Sequence, residues 1–199
     1  MAGHSRARPT QARPADSENR APVDPAERAK DICLRLLTDG PRTAAQLTTA
    51  MSRRGIEPEV AEAVLARLTD IGLIDDAAFA TAWVTSRHAG RGLARRALAH
   101  ELRSRGVADP VVEEAVAELD PEREATTARE LAARRLAATR GLDTTVRFRR
   151  TAALLARKGY SSQLSYRVIR EALEAETDAA CSGERGAVLA AAEAAVVDD

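Results

Sequence analysis

The sequence contains few of the residues that commonly form catalytic, metal or disulfide sites. Of its 199 residues only two are cysteines and three are histidines, and neither type recurs at a metal-ligand spacing. No apolar run is long enough to span a membrane, and the first residues lack the apolar segment of a secretory signal. These absences predict a cytoplasmic protein that acts without a membrane, a metal or another cofactor.

Aromatic residues are also scarce, with one Trp, two Tyr and two Phe. So few bulky side chains favour several small cores over one large core. No segment alternates apolar and polar residues as a half-buried strand does, whereas Ala, Leu, Arg and Glu are abundant and all favour helix. The sequence therefore predicts an all-α protein.

Lysine is also rare: only Lys30 and Lys158 among the 30 basic residues are lysines. The 30 acidic residues cancel the basic ones, so no net charge attracts a partner. The charges are nevertheless segregated: residues 87–105 hold six arginines and one acid, residues 109–124 hold seven acids and one arginine, and residues 129–158 hold nine basic residues and two acids. Local fields are therefore expected to select partners, although a GC-rich genome also enriches arginine.

Helix start signals divide the chain into three units of three helices. Asp24-Pro25 begins the first unit, Asp75-Asp76 the second and Pro121 the third, since acidic caps and prolines suit helix N-termini. The last helix is expected to end near Glu176. The predicted segments are a disordered arm (1–24), three three-helix repeats (25–74, 75–120 and 121–176) and a loose, acidic, Ala-rich tail (177–199).

The end of each second helix carries an internal repeat. Three segments share an apolar residue, two intervening positions, a basic residue, a glycine and a further apolar residue: Met51–Ile56, Leu102–Val107 and Leu155–Tyr160. Their glycines lie 51 and 53 residues apart. Such a glycine suits a left-handed helix C-cap, and the basic residue before it complements the helix dipole. The repeat predicts helix-turn-helix-like units stacked in an elongated, curved array.

The second and third units place arginines at equivalent positions. Arg96 and Arg149 each lie ten residues before the glycine of their repeat, on the side of the helix away from its apolar residues. We expect Gly90 and Gly92 to break the preceding helix and to leave a flexible Arg-Gly turn. The pattern predicts a basic surface that follows phosphates, with a solvated surface lacking any partner as the alternative. The predicted contact residues are Arg87, Arg91, Arg95, Arg96, Arg103, Arg147, Arg149, Arg150, Arg157 and Lys158.

Candidate catalytic residues are few and poorly placed. His88 has no partner at a metal or general-base spacing and is expected to make a surface contact. Phe79 and Trp83, four residues apart, are expected to form a core pair, with a partner-docking anchor as the alternative. Phe148 is likewise expected in the core, although with the arginines beside it the ring could also grip a single nucleic-acid strand. The sequence therefore predicts a protein that is not an enzyme.

Two stretches carry a more specific pattern than any single motif. The first joins an acidic start, an Arg/Gly turn and a basic-Gly-aliphatic ending: Asp75-Asp76, Phe79-Ala80, Arg87, Gly90, Gly92, Arg95-Arg96, Leu98, Glu101-Leu102 and Arg105-Gly106-Val107. The second is Arg157-Lys158-Gly159-Tyr160-Ser161 with Tyr166, Val168 and Ile169. Together they resemble the RecX family of recombinase regulators over residues 27–176.

The resemblance implies tandem three-helix repeats in a curved molecule. It also implies that the chain binds the RecA nucleoprotein filament along its helical groove and mostly restrains recombinase, ATP hydrolysis and coprotease activities. We expect a monomer, because the sequence carries no dimerisation signal. Such a role would regulate DNA repair and the SOS response, and contacts to single- or double-stranded DNA would accompany it. The alternatives are a helix-turn-helix DNA-binding protein that acts without RecA, and a helical scaffold with no nucleic-acid role.

Overall fold

The structure is a computed structural model that describes residues 24–197, with side chains described through residue 179. Regular structure in this part of the chain is entirely helical, which confirms the all-α prediction. The predicted disordered arm lies outside the described residues except for Asp24. The described helices are α1 (Pro25–Thr38), α2 (Ala44–Ser52), α3 (Pro58–Asp70), α4 (Asp76–Arg91), α5 (Arg95–Ser104), α6 (Asp109–Ala117), α7 (Pro121–Ala137), α8 (Thr144–Arg157) and α9 (Ser162–Val197).

The helices form three successive units, in each of which every helix packs against the other two. Unit 1 contains α1–α3, unit 2 contains α4–α6 and unit 3 contains α7–α9. Each unit has its own small core, with Leu47 and Met51 buried in unit 1, Leu98 in unit 2 and Leu155 in unit 3. Full burial of one such side chain contributes roughly 1.5–3 kcal/mol. Ala94 of unit 2 belongs to the core of unit 3, so neighbouring cores share a boundary.

Helix starts follow the signals read from the sequence. The side chains of Asp24, Asp75, Asp120 and Asp143 each accept a hydrogen bond from a backbone N–H in the first turn of the helix that follows. Thr43 forms a capping box with the third residue of α2, in which each side chain bonds to the other's backbone N–H. These bonds satisfy N–H groups that have no partner within the helix.

Two of the expected helix ends differ from the structure. Gly90 lies inside α4, and Gly92 alone ends that helix, with a left-handed φ of 60°. The helix expected to end near Glu176 continues to Val197, because the alanines that follow favour helix strongly. The repeat glycines Gly55, Gly106 and Gly159 have φ values of 73°, 79° and 88°, which confirms the predicted left-handed caps.

Candidate nucleic-acid and protein interface

A hydrogen bond to the carbonyl oxygen at an equivalent position joins unit 1 to unit 2 and unit 2 to unit 3. The hydroxyl of Thr43 donates to the carbonyl oxygen of Arg105 at 2.7 Å, and the backbone N–H of Ala94 donates to the carbonyl oxygen of Lys158 at 2.9 Å. Both donors are the residue before the second helix of their unit, and both acceptors precede the repeat glycine of the next unit. The carbonyl at this position in unit 1, that of Arg54, instead accepts from the side chain of Arg28 at 2.8 Å. The turn at the repeat glycine therefore binds each unit to the preceding one. We call each of these two contacts between units a joint.

The glycines at these joints are needed for close approach as well as for backbone conformation. A Cβ built on Gly106 would overlap the Cβ of Ala45, and one on Gly159 would lie 2.5 Å from the backbone nitrogen of Ala97. A Cβ on Gly55 would meet no atom within 4 Å. The sequence predicted the conformation of these residues, whereas their contacts across units appear only in the structure.

An acidic side chain reinforces each joint from the first helix of the following unit. The N–H of Ala44, at the start of α2, donates to Asp76 Oδ1 at 3.0 Å, and the N–H of Arg95, at the start of α5, donates to Glu124 Oε1 at 3.0 Å. The carboxylates satisfy N–H groups at helix N-termini, where negative charge is favourable.

The joint between units 2 and 3 contains buried polar contacts that the sequence did not predict. His88 is only 4% exposed, so the expectation of a surface contact is wrong. Its Nδ1 lies 2.9 Å from the carbonyl oxygen of Leu93 and therefore carries a proton, while Nε2 lies 3.1 Å from Thr127 Oγ1 on α7. The Tyr160 hydroxyl donates to the carbonyl oxygen of Gly92 at 3.1 Å. Burial, together with the negative charges of Glu124 and Glu130, raises the pKa of Tyr160 well above its ordinary value.

A basic groove of about 740 Å³ lies along the joint between units 2 and 3. Its basic lining residues are Arg95, Arg96, His100, Arg103 and Arg157. Glu101 also lines the groove, but its carboxylate accepts a 2.9 Å hydrogen bond from Trp83 Nε1 and lies 3.9 Å from both Arg87 and Arg91. The basic groove therefore brings together arginines of α5 and α8, and Arg103 and Arg157 are 54 positions apart in the chain.

The predicted contact residues divide into an exposed set and a set held by other groups. The exposed set comprises Arg91, Arg96, Arg103, Arg149, Arg150 and Arg157. Arg96 and Arg157 have no ion-pair partner among the described residues, whereas Arg103 pairs with Asp109 at 2.6 Å. Arg150 lies seven residues before Arg157 on α8, so the two share a face of that helix and lie about 10 Å apart along its axis.

Arg147 and Arg95 are engaged within the protein. Arg147 is 8% exposed, and its guanidinium donates to the carbonyl oxygen of Leu136 at 3.0 Å and to Glu176 at 2.6 Å. Arg95 donates to the carbonyl oxygen of Leu119 and lies 3.7 Å from Glu124. Arg147 therefore does not reach solvent beside Arg149 as the sequence interpretation assumed, and its charge is neutralised from α9.

The charged groups of Arg87 and Lys158 also contact other groups of the protein. The guanidinium of Arg87 lies 4.0 Å from the ring centroid of Trp83, and Lys158 Nζ donates to the carbonyl oxygen of Arg91 at 2.5 Å. The Lys158 bond ties unit 3 to the end of α4, so this residue contributes to the joint as well as to the local positive charge.

Phe79, Trp83 and Phe148 pack against the cores, as the sequence predicted. A further ring, that of Tyr166, is exposed. Phe79 stacks on Trp83 with ring centroids 5.6 Å apart, and both are partly buried against the core of unit 2. Phe148 packs on the core of unit 3 and contacts the ring of Tyr166 edge-on at 5.7 Å. Tyr166 itself is 59% exposed.

The described residues contain neither a membrane-spanning helix nor a cluster of metal-binding side chains. None of their helices combines the length and the apolar character needed to cross a bilayer. Within the same residues, no three His, Cys, Asp or Glu side chains come together in a way that could hold a metal ion.

The fold and its joints define an α-helical repeat protein with a basic groove between repeats. Models of the first, second and third three-helix domains of RecX match residues 29–68, 75–116 and 122–169. The chain belongs to the RecX family. It is 62% identical over 156 residues to the regulatory protein RecX of Thermobifida fusca, covering 78% of this chain and 84% of that one, and 59% identical over 155 residues to RecX of Streptomyces coelicolor, covering 78% and 82%.

Solved structures show the same fold at lower identity. RecX from Lactobacillus salivarius superposes with a TM-score of 0.70 at 17% identity, covering 75% of this chain and 97% of that one. A second RecX crystal structure superposes with a TM-score of 0.67 at 24% identity, covering 75% and 73%. The three-helix repeats predicted from sequence are thereby confirmed.

Proposed function

We propose that this chain binds RecA and RecA–DNA filaments and restrains RecA recombinase, ATPase and coprotease activities, so that it regulates DNA repair and the SOS response. Membership of a family of regulatory proteins supports the regulatory role. The chain acts as a cytoplasmic monomer, without a catalytic step or a cofactor of its own.

The observation that carries the proposal is the basic groove. Arg96, Arg103 and Arg157 are exposed around it, in a chain whose total charge is zero. Phosphates of a nucleic-acid strand are the ligand class that such a concave, positive surface recognises. Arg149 and Arg150 extend the basic surface along α8, whereas Arg147 is left out because its guanidinium is buried.

The arginines in the groove set the expected salt dependence. Three contacts to the phosphates of a single strand give a slope of log affinity against log salt of roughly −2.1, so raising salt from about 50 to 200 mM should weaken binding about 20-fold. A solvated surface without a partner would show no such dependence on these residues.

The test is RecA ATP hydrolysis on single-stranded DNA while the protein is titrated in. Inhibition at sub-stoichiometric protein would indicate that the chain caps or blocks filament growth. Inhibition only near full coverage would indicate occupancy of the filament groove. Unchanged hydrolysis with retained DNA binding would contradict the proposal and favour a DNA-binding protein that acts without RecA.

A further inference from the structure

A second groove, about 430 Å³ in volume, lies at the joint between units 1 and 2 and differs in chemistry from the basic groove. We call it the apolar groove. Besides Trp83, its apolar lining residues are Leu37, Pro41, Leu73, Ala78, Phe79 and Ala82. Leu73 is 48% exposed, so part of this lining faces solvent. The proposed contact with phosphates makes no use of such a surface.

Arginines surround the Trp83 end of the apolar groove. Arg42 and Arg87 line the groove, and the guanidinium of Arg105 lies 3.7 Å from the centroid of the Trp83 ring. Burial, followed by repulsion from Arg87 and Arg42, lowers the pKa of Arg105, while Glu101 opposes that shift. The Nε of Arg42 is buried and has no hydrogen-bond partner among the described residues.

The nearby carboxylates are already engaged. Glu101 holds Trp83 Nε1, and Asp75, which lines the groove, accepts from the N–H of Ala78 at 2.8 Å as the cap of α4. The three guanidiniums therefore outnumber the acids that face them, and an additional carboxylate beside Arg42 and Arg87 would be stabilised.

The lining favours a protein segment over a nucleic-acid strand. Phe79 stacks on the Trp83 ring, and two guanidiniums lie within 4.0 Å of its centroid, so the ring is occupied by groups other than a base. An apolar floor suits aliphatic or aromatic side chains and offers nothing to phosphates. We infer that the apolar groove docks a segment of the partner protein in which apolar side chains are flanked by Asp or Glu.

In this arrangement the apolar side chains cover Leu73 and Phe79, and the carboxylate pairs with Arg42 and Arg87. The inference rests on the proposed function, because RecA is then the partner that supplies the segment. It assigns different ligands to the two joints: the basic groove contacts phosphates and the apolar groove contacts protein.

The experiment compares Leu73→Glu with Ile71→Glu. Both residues lie in the turn between α3 and α4, and Ile71 is 63% exposed but does not line the groove. Binding of each labelled variant is measured by fluorescence anisotropy on RecA-coated and on bare single-stranded DNA, with circular dichroism as the check on folding. If Leu73→Glu does not fold, the same binding measurements are made with Leu73→Ala, which shortens the side chain without adding charge.

We expect Leu73→Glu to weaken binding to RecA-coated DNA at least tenfold and to leave binding to bare DNA unchanged, while Ile71→Glu changes neither. Wild-type preference for RecA-coated DNA with unchanged affinity of Leu73→Glu would overturn this inference alone. Equal losses on coated and bare DNA would also overturn it, by making the groove a nucleic-acid surface. Equal wild-type affinity for coated and bare DNA would contradict the proposed function and this inference together.

A photo-crosslinking residue at Ala82 tests the chemistry of the occupant. Cross-linked RecA peptides rich in apolar residues and Asp or Glu are the expected product. Cross-links to DNA alone would overturn the assignment to a protein segment.

Discussion

The hydroxyl of Thr43 in unit 1 donates a 2.7 Å hydrogen bond to the carbonyl oxygen of Arg105 in unit 2. The side chain of Arg105 lies over Trp83, beside the apolar groove. One residue therefore fastens the joint with its backbone and supplies positive charge with its side chain. At the next joint Lys158 accepts the corresponding bond from Ala94 and directly follows Arg157 of the basic groove. Both candidate binding surfaces thus depend on the geometry of the repeat joints.

Replacing the glycine at the first joint should destabilise the array more than the same change where space is open. Gly55→Ala places an L residue at a φ of 73° and should cost about 1–2 kcal/mol. Gly106→Ala has a similar φ and also drives a Cβ into Ala45, which should add about 1–3 kcal/mol. Urea unfolding followed by the emission of Trp83, the only tryptophan, measures both. Equal midpoints for the two variants would contradict the close approach of Gly106 to Ala45.

The Thr43 hydroxyl should stabilise the protein through two separate bonds. Thr43→Val keeps the side-chain shape, but removes the cap of α2 and leaves the partly buried carbonyl of Arg105 without its partner. We expect a loss of roughly 2–3 kcal/mol in the free energy of unfolding. Thr43→Ser retains the hydroxyl and is the matched control, expected to remain close to wild type. A Thr43→Val variant as stable as Thr43→Ser would show that the hydroxyl contributes little.

Arg147 and Arg149 should separate stability from binding although they are two residues apart. Arg147→Ala leaves Glu176 and the Leu136 carbonyl without their donor, which should cost about 2–3 kcal/mol. This is less than for a fully buried pair, because Glu176 is partly exposed. Arg149→Ala should change stability by less than about 0.5 kcal/mol. By contrast, Arg149→Ala should make the dependence of filament affinity on salt less steep, and Arg147→Ala should leave that dependence unchanged. The reverse assignment of the two effects would refute this interpretation of α8.

Alkaline pH should weaken the protein through Tyr160. Because the folded state raises the pKa of this phenol above its ordinary value of 10.0, the unfolded chain loses the proton first. The stabilisation is complete below pH 10 and declines by about 1.4 kcal/mol for each further pH unit. The gap in urea midpoint between wild type and Tyr160→Phe should therefore narrow from pH 9 to pH 11. Tyr166→Phe, which removes a hydroxyl from an exposed tyrosine, is the matched control. A gap that stays constant would argue against a buried, neutral phenol.

Local signals in the sequence are sufficient to predict most of the fold. The Thr43 cap, the prolines that begin α1 and α3, and the glycines that end α2, α5 and α8 each act through neighbours a few residues away. Cys33, which lies four residues before Leu37 on α1, is fully buried. Such features are set by backbone conformation and by the period of the helix, both of which can be read from one segment at a time.

The contacts between units and the burial of Arg147 could not be predicted from one segment at a time. Gly106 meets Ala45 across 61 positions of the chain, and the buried His88 contacts Thr127 of the next unit. Helical periodicity assigns a residue to one side of its own helix, but it does not say which neighbour covers that side. Arg147 turns inward because Glu176 lies opposite it on α9, near the position where that helix was expected to end.

The most direct test of the central claim is RecA ATP hydrolysis on single-stranded DNA with the double variant Arg96→Glu, Arg157→Glu. The matched control is Arg53→Glu, Arg67→Glu, which changes two exposed arginines of unit 1 in the same way. If the basic groove holds the filament, the groove variant should need at least tenfold more protein for half-maximal inhibition, with unchanged helical content. The control should inhibit as wild type does. Equal inhibition by both variants, or equal loss by both, would contradict the claim that this groove carries the regulation of RecA.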